Sequence, residues 1–133
     1  RGSTPSADAL VVGVRNVARA AERYGCVAMA TDGSGQHGAP VEKPSCDAGA
    51  GVEWVALAGA YILPVEGGAG YLGNVLSSLS VSRRGELEIT DVLNAYHKLG
   101  YLRVASTTMK WCDAGDPEGY AQANDPAFWA GVP

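Results

Sequence analysis

The sequence predicts an α+β fold in which an N-terminal amphipathic helix packs on an antiparallel β-sheet. Two observations carry this prediction. Apolar residues recur at spacings of three and four over residues 6–24, which is the period of a helix with one buried face. Residues 78–82 and 86–90 alternate apolar and polar side chains on either side of a glycine-containing turn. That alternation is typical of a β-hairpin whose second face meets water.

Composition predicts a single globular domain. The chain has 133 residues, of which 47% are hydrophobic and 18% charged, enough apolar material for one core. We expect the domain to span residues 6–133, with the small, polar residues 1–5 as a disordered or processed end outside it. The net charge is −4, and Arg83-Arg84 is the sole adjacent basic pair, so we expect no nucleic-acid binding.

The N-terminal helix is predicted from its stripe and its ends. Ser6 is suited to cap it, and Gly25 can adopt the left-handed conformation that ends many helices. The stripe predicted to pack on the sheet consists of Leu10, Val14, Val17, Ala21 and Tyr24.

The middle of the chain reads as two strands separated by a long loop. Residues 26–31 form a short apolar run, and residues 52–63 form a longer one interrupted at Gly59, so both are predicted strands. The twenty residues between them, 32–51, are rich in glycine and proline. Loops of that length are uncommon unless they are functional or pinned, and Cys46 is a candidate pin.

After the predicted hairpin, a short helix and a strand are expected. Residues 91–100 begin with Asp91, carry apolar residues at helical spacing and end at Gly100. Residues 101–111 are rich in β-branched and aromatic side chains and predict a strand. The tail after Cys112 is acidic and turn-rich.

Three cysteines allow one disulfide and one free thiol. Cys46 lies in the long loop and Cys112 ends a predicted strand, so both adjoin turns, whereas Cys26 has apolar neighbours typical of a buried thiol. We predict a Cys46–Cys112 bridge, with Cys26–Cys46 as the alternative. A bridge would indicate an oxidising compartment.

Three further patterns are candidate sites. The stretch GAGYLG, residues 68–73, matches a dinucleotide-binding fingerprint, but it lacks the preceding strand and the full helix that the fingerprint requires, so we interpret it as a turn. His37 or His97 with Cys26 or Cys112 would make a catalytic dyad if the two side chains met in the fold, and the alternative is that both histidines are surface or capping residues.

The acidic tail is either a solvated turn or a calcium cage, because calcium binds six to eight oxygens. Its candidate ligands are Asp113, Asp116, Glu118 and Asp125. We otherwise expect no cofactor.

The stretch SLSVSRRGELEIT, followed later by MKWC, resembles the strand–turn–strand and Trp-Cys pattern of type IV pilins and type II secretion pseudopilins. The stretch ADALVVGVRNVARAAERYG is similar to the exposed half of the pilin spine helix. The chain is therefore interpreted as a pilin-like soluble domain that lacks the hydrophobic half of that helix.

The resemblance implies a non-catalytic subunit of a secreted or surface filament, which displays loops for adhesion or secretion. Its partners would be copies of itself or related pilins, and it would contact the inner membrane only through the missing segment, before assembly at the cell surface. It also implies that Cys112 pairs with Cys46 or Cys26, and that the four tail carboxylates hold calcium. A small secreted cysteine enzyme, a calcium-stabilised extracellular binding module and a phage or other particle subunit remain alternatives.

Overall fold

The computed structural model of the chain describes residues 5, 7–67, 71–83 and 85–133. Within these ranges lie five strands and four helical segments. In chain order they are β1 (Ala9–Val14), α1 (Ala20–Arg23), β2 (Gly25–Ala30), β3 (Val41–Glu42), β4 (Val52–Ile62), α2 (Tyr71–Ser78), α3 (Ile89–Lys98), β5 (Leu102–Thr107) and α4 (Pro117–Ala123).

The five strands form one mixed sheet in the order β3-β2-β4-β1-β5. Strand β1 has an antiparallel neighbour, β4, on one side and a parallel neighbour, β5, on the other. The β2–β4 and β2–β3 pairs are antiparallel. The prediction of a fully antiparallel sheet is therefore wrong. The candidate site described below lies where the parallel pair ends.

The predicted N-terminal helix is also wrong. Ala9–Val14 is strand β1, and only the single turn of α1, Ala20–Arg23, is helical within residues 7–24. The predicted cap Ser6 lies outside the described residues. The five residues of the expected stripe are divided between β1, α1 and the segments beside them: Leu10, Val14, Val17, Ala21 and Tyr24.

The position of β1 inside the sheet explains this outcome. Two consecutive β-branched residues, Val11 and Val12, favour an extended backbone. At Gly13 an added Cβ would lie 3.2 Å from Val55 Cγ2 and 3.3 Å from Val104 Cγ1, so the strand fits closely between its two neighbours. A strand whose two faces are both covered is a near-continuous apolar run in the sequence, and such a run also contains apolar pairs at helical spacing.

The core lies on one face of the sheet, beneath α2 and α3. Its fully buried side chains include Val11, Val27, Val55, Leu93 and Tyr96, which come from three strands and from α3. The Tyr96 hydroxyl donates to the carbonyl of Pro64 at 2.9 Å, so this buried polar atom is satisfied. On the other face, Cys26 and Ala56 pack beneath Ala20 of α1.

Several predicted elements are confirmed with shifted ends: β2, β4, α3 and β5. The predicted hairpin of residues 78–82 and 86–90 is wrong, because Ser78 ends α2, residues 79–82 and 86–88 are not strands, and Ile89 begins α3. Its turn persists: the Ser82 amide donates to the Glu86 carbonyl at 2.7 Å, around residue 84, which is outside the described residues. Val92, Leu93 and Tyr96 are buried at helical spacing. Their burial favours a helix from Ile89 over the strand that the local alternation predicted.

The first three residues of the stretch GAGYLG, 68–70, are outside the described residues, and α2 begins at Tyr71. Residues 1–4 of the predicted disordered end are outside them as well. Within the described ranges, every helix is too short or too polar to span a bilayer.

Candidate functional site

A crevice opens where the two parallel strands end. Val14 and Thr107 are the last paired residues of β1 and β5, and the Arg15 amide extends the ladder by donating to the Thr107 carbonyl at 2.8 Å. Beyond this point the two chains diverge. Open α/β sheets bind ligands in the crevice outside the carboxyl ends of such strands. Here the crevice has a volume of about 420 Å³ and is lined by residues 14–18 and 108–113, among others.

Aromatic side chains form one wall of the crevice. The rings of Tyr24 and Trp111 meet edge to face, with centroids 5.0 Å apart, and Phe128 lines the same space. Arg23 lies over the Tyr24 ring at 5.3 Å, and Lys110 lies over the Phe128 ring at 4.9 Å. Burial raises the pKa of the Tyr24 phenol, so its hydroxyl remains protonated at neutral pH. Such a wall suits an uncharged ring with apolar faces.

Asp113 is a carboxylate in the lining of the crevice, two residues after Trp111. One of its oxygens, Oδ1, accepts the Gly115 amide at 3.0 Å, and the side chain is only partly buried. Its backbone is fixed by close packing against α4: a Cβ added to Gly119 would lie 1.6 Å from the Asp113 carbonyl oxygen. Only glycine permits this approach of the two backbones.

Asp116 has a structural role. Its Oδ1 caps α4 by accepting the Gly119 amide at 2.7 Å, and its Oδ2 accepts Arg23 Nη2, also at 2.7 Å. The Gly119 hydrogen bond, followed by the charge of Arg23, lowers the pKa of the Asp116 carboxyl. At neutral pH Asp116 is therefore ionised, and each of its carboxylate oxygens accepts a hydrogen bond.

A second set of residues, which we call the Glu42 cluster, lies around Gly25, the residue after Tyr24. It consists of Gly25, Glu42, Tyr61 and Thr90. A Cβ added to Gly25 would lie 3.2 Å from Glu42 Oε2 and 3.4 Å from Thr90 Cγ2. Burial, followed by the charge of Glu42, raises the pKa of the Tyr61 phenol.

The turn after β3 attaches the Glu42 cluster to the crevice. The Lys43 amide donates to the carbonyl of Tyr24 at 3.1 Å, and the Ser45 amide donates to the carbonyl of Ala21 at 2.8 Å. Lys43 and Ser45 both have left-handed backbones, with φ of 44° and 55°. Left-handed non-glycine residues are uncommon and often mark functional loops. Tyr24 belongs to the aromatic wall and Gly25 to the Glu42 cluster, so the two groups adjoin at this peptide bond.

The predicted cysteine sites are not formed. Cys26, Cys46 and Cys112 are free cysteines in the structure, so neither predicted bridge is present. Cys26 is buried, and desolvation followed by the charge of Glu42 raises the pKa of its thiol to about 11. A neutral, buried thiol is a poor nucleophile.

The histidines lie far from Cys112. Their rings face each other with centroids 5.5 Å apart, and His37 Nε2 is 3.2 Å from the carbonyl oxygen of Leu102 at the amino end of β5. Cys112 follows the carboxyl end of that strand, and six residues of strand span roughly 17 Å. The predicted dyad of either histidine with Cys112 is not assembled.

The predicted calcium ligands are not brought together either. Asp116 caps α4, and Asp125 Oδ1 accepts the amide of Ala127 at 2.9 Å. In the part of the chain that the structure describes, no group of three or more His, Cys, Asp or Glu side chains is arranged to hold a metal ion. Among the four predicted residues, Asp113 and Glu118 line the crevice.

Sequence reasoning missed the crevice itself, although local signals existed. Tyr24-Gly25 and Glu42-Lys43 each place an aromatic, glycine or charged residue at a strand end, and Trp111–Asp113 lies in the segment that follows β5. The parallel pairing of β1 with β5 brings the segments after these two strands together, although their residues are 93 positions apart in sequence, as in the pair Val14 and Thr107.

Comparisons with known proteins place the chain in a different class from the one predicted. Residues 3–127 match the family model described as nucleotidyl transferase. A comparison with curated proteins gives no significant match. Among solved structures, a putative glucose-1-phosphate thymidylyltransferase from Bacillus anthracis, determined in complex with a sucrose, is 27% identical, with a TM-score of 0.67. The similarity covers 93% of this chain and 45% of that one, so the chain spans less than half the length of its solved relative.

These matches overturn the pilin resemblance and what it implied. The mixed sheet corresponds to a Rossmann-like nucleotidyltransferase fold rather than to a spine helix on an antiparallel sheet. The predictions of a non-catalytic filament subunit, of an adhesion role and of pilin partners are wrong, because both matches are to enzymes that act on nucleotides. The surface location stays an untested prediction.

Proposed function

Because this chain belongs to the nucleotidyl transferase family, we propose that it acts in sugar-nucleotide synthesis, by transfer of a nucleotidyl group from a nucleoside triphosphate to a sugar 1-phosphate. The observation that carries the proposal is the crevice at the carboxyl ends of β1 and β5, with an aromatic wall, the carboxylate of Asp113 and an adjoining polar cluster. Glucose 1-phosphate is the substrate to test first, because the solved relative is described as a glucose-1-phosphate thymidylyltransferase.

The reaction requires positioning more than covalent chemistry. An oxygen of the sugar phosphate attacks the α-phosphorus of the triphosphate, and a new phosphorus–oxygen bond forms. The bond from that phosphorus to the oxygen bridging α and β breaks, and pyrophosphate leaves with the bonding electrons. Holding the two phosphates in line and neutralising their charge lowers the barrier. No nucleophilic side chain is needed, in keeping with the buried, neutral thiol of Cys26.

The Glu42 cluster and the aromatic wall are the proposed sugar site. A carboxylate accepts hydrogen bonds from hydroxyl groups, and Glu42 presents an exposed one beside Gly25. The rings of Tyr24 and Trp111 offer apolar faces for the C–H groups of a sugar. Lys43, on the strained turn beside Tyr24, is the proposed partner of the sugar's phosphate.

Asp113 is the proposed ligand of the magnesium ion that accompanies the triphosphate. Magnesium in such sites takes one or two carboxylates together with substrate phosphates and water, so it does not need a cage of three protein carboxylates. Asp113 fits this requirement because it is partly exposed in the crevice and its hydrogen bond from the Gly115 amide occupies a single carboxylate oxygen. The ion would supply positive charge against the phosphates.

An assay of product formation tests the proposal. The protein is incubated with magnesium, glucose 1-phosphate and each common nucleoside triphosphate in turn, and pyrophosphate and sugar nucleotide are measured by mass spectrometry. We expect one or more triphosphates to give product. Glu42→Gln should raise the KM for glucose 1-phosphate at least tenfold, and Asp113→Asn should lower kcat about a hundredfold. Asp125→Asn, in the tail outside the crevice, is the matched control and should change neither.

Absence of product with every triphosphate, when glucose 1-phosphate is replaced in turn by the galactose, mannose and N-acetylglucosamine 1-phosphates, would overturn the proposed function. Equal activity in the wild-type protein and Asp113→Asn would overturn the role of that carboxylate.

A further inference from the structure

Two chain segments enclose the crevice, one after β1 and one after β5, and an ion pair joins them. Arg23 Nη2 and Asp116 Oδ2 are 2.7 Å apart and come from positions separated by 93 residues. Their side chains are 32% and 42% exposed. A pair this exposed adds little stability on its own. Its significance therefore lies in what it holds in place.

Asp116 connects Arg23 to helix α4. The carboxylate uses one oxygen for Arg23 and the other for the Gly119 amide, which caps the helix. Arg23 thus restrains the orientation of the capping carboxylate. Loss of the guanidinium would free the capping side chain to rotate and loosen the first turn of α4.

Helix α4 in turn fixes Asp113. The Gly119 backbone lies so close to the Asp113 carbonyl oxygen that a methyl group between them would be 1.6 Å from that oxygen. Neither backbone can shift toward the other, and Asp113 rests on the helix. A displacement of α4 is therefore transmitted to the carboxylate in the crevice.

Arg23 also acts on the aromatic wall. Its guanidinium lies over the Tyr24 ring at 5.3 Å, and the same ring meets Trp111 edge to face. One side chain thus contacts the aromatic wall directly and reaches Asp113 through Asp116 and α4.

We propose that the Arg23–Asp116 ion pair, which we call the clasp, is a positioning device for the sugar-phosphate site, an inference that rests on the proposed function. The clasp does not touch substrate. It holds Tyr24 in the geometry that binds the sugar, and through α4 it holds Asp113 in the crevice where the magnesium ion of the triphosphate would bind.

Kinetics of clasp variants provide the first test. Arg23→Gln and Asp116→Asn, which retains an N-cap side chain, should each raise the KM for glucose 1-phosphate about tenfold and leave the KM for the triphosphate within twofold. Arg23→Lys keeps the charge and should raise the first KM less than threefold. Simple loss of folded protein would lower kcat and leave both KM values unchanged.

Arg19→Gln is the matched control. Arg19 lies on the same segment and forms an ion pair of similar length with Glu22, 2.8 Å, but this pair is exposed and local. It should leave both KM values unchanged. A KM for glucose 1-phosphate that is unchanged in Arg23→Gln, or raised equally in Arg19→Gln, would overturn the proposal.

Hydrogen exchange tests the clasp without reference to activity. The Gly119 amide donates to Asp116, so its exchange should be at least fivefold faster in Arg23→Gln and unchanged in Arg19→Gln. Unchanged exchange in Arg23→Gln would show that the ion pair does not hold α4. If the wild-type protein forms no sugar nucleotide, the proposed function fails, and exchange at Gly119 still decides whether the clasp orders the helix.

Discussion

At the scale of single residues, Gly25 shows how a missing side chain shapes the proposed sugar site. An added Cβ would lie 3.2 Å from Glu42 Oε2 and 3.4 Å from both Leu57 Cδ1 and Thr90 Cγ2. The carboxylate can move away, but Leu57 and Thr90 are buried and cannot. Gly25→Ala is therefore expected to displace Glu42 and raise the KM for glucose 1-phosphate at least fivefold, at a cost in stability of about 1 kcal/mol.

Steady-state kinetics and thermal unfolding measure these two effects. Gly38→Ala is the control, because the nearest atom to its added Cβ, the carbonyl oxygen of Ala28, would be 4.0 Å away. A KM raised as much by Gly38→Ala as by Gly25→Ala would remove the argument from Glu42.

Asp116 makes stability depend on pH in a defined direction. The Gly119 hydrogen bond and Arg23 lower its pKa below the ordinary value of 3.8 in the folded protein. A carboxyl with a depressed folded-state pKa stabilises the protein above its unfolded pKa, and this contribution is lost as the pH falls through the folded value. The wild-type protein should therefore melt above Asp116→Asn at pH 7, and the gap should close below about pH 3.8.

Calorimetry of both proteins between pH 2.5 and 7 measures this gap. Asparagine caps helices about as well as aspartate, so the comparison isolates the charge. A gap that stays constant over the whole range would show that the charge of Asp116 contributes nothing to folding.

At the scale of elements, two glycines in helices predict opposite results from one substitution. Gly73 is exposed in α2, and a Cβ there would meet nothing within 4 Å. Gly119 in α4 would bring its Cβ to 1.6 Å from the Asp113 carbonyl oxygen. Gly73→Ala should stabilise the protein by about 0.5–1 kcal/mol, since alanine restricts the unfolded chain and favours a helix. Gly119→Ala should destabilise it by about 2 kcal/mol or more.

Denaturant unfolding of the two variants gives both values. We also expect Gly119→Ala to lower kcat, because Asp113 moves with the backbone that the methyl group displaces, whereas Gly73→Ala should not. Equal effects of the two substitutions would indicate that α4 does not pack on Asp113 as described.

Local patterns predicted elements well where one periodicity dominated. Val92, Leu93 and Tyr96 are buried at helical spacing, and α3 lies within two residues of its predicted ends. The alternation before α3 predicted a hairpin, but its apolar residues Val81 and Leu87 are exposed, so they do not pack on a face of the sheet. Residues 9–14 failed for the opposite reason: an apolar run satisfies both periods, and only the neighbouring strands select one.

At the scale of the whole molecule, the site depends on a pairing that sequence patterns do not record. Strands β1 and β5 become neighbours only when the intervening chain folds β2, β4 and α3 into place. Tyr24 and Asp113 therefore come to line one crevice through the sheet and not through any spacing along the chain. The acidic residue in the stretch WCDAG was recognisable as a candidate ligand, whereas its partners across the crevice were not.

The central position of β1 predicts how the molecule unfolds. Val11 is fully buried and lies on the strand that joins β5 to the rest of the sheet. Val11→Ala should lower the free energy of unfolding by about 2 kcal/mol through the lost methyl groups and the cavity they leave. If β1 couples the two parts of the sheet, the transition should remain single, with an unchanged denaturant dependence.

Val12→Ala is the matched control, because the neighbouring side chain is only partly buried, on the opposite face of the same strand. It should cost less than half as much. Urea unfolding followed by both fluorescence and circular dichroism measures these values. Two separate transitions in Val11→Ala would show that β5 and the crevice fold independently of the β2–β4 part of the sheet. In that case β1 would not couple the unfolding of the crevice to the unfolding of the core.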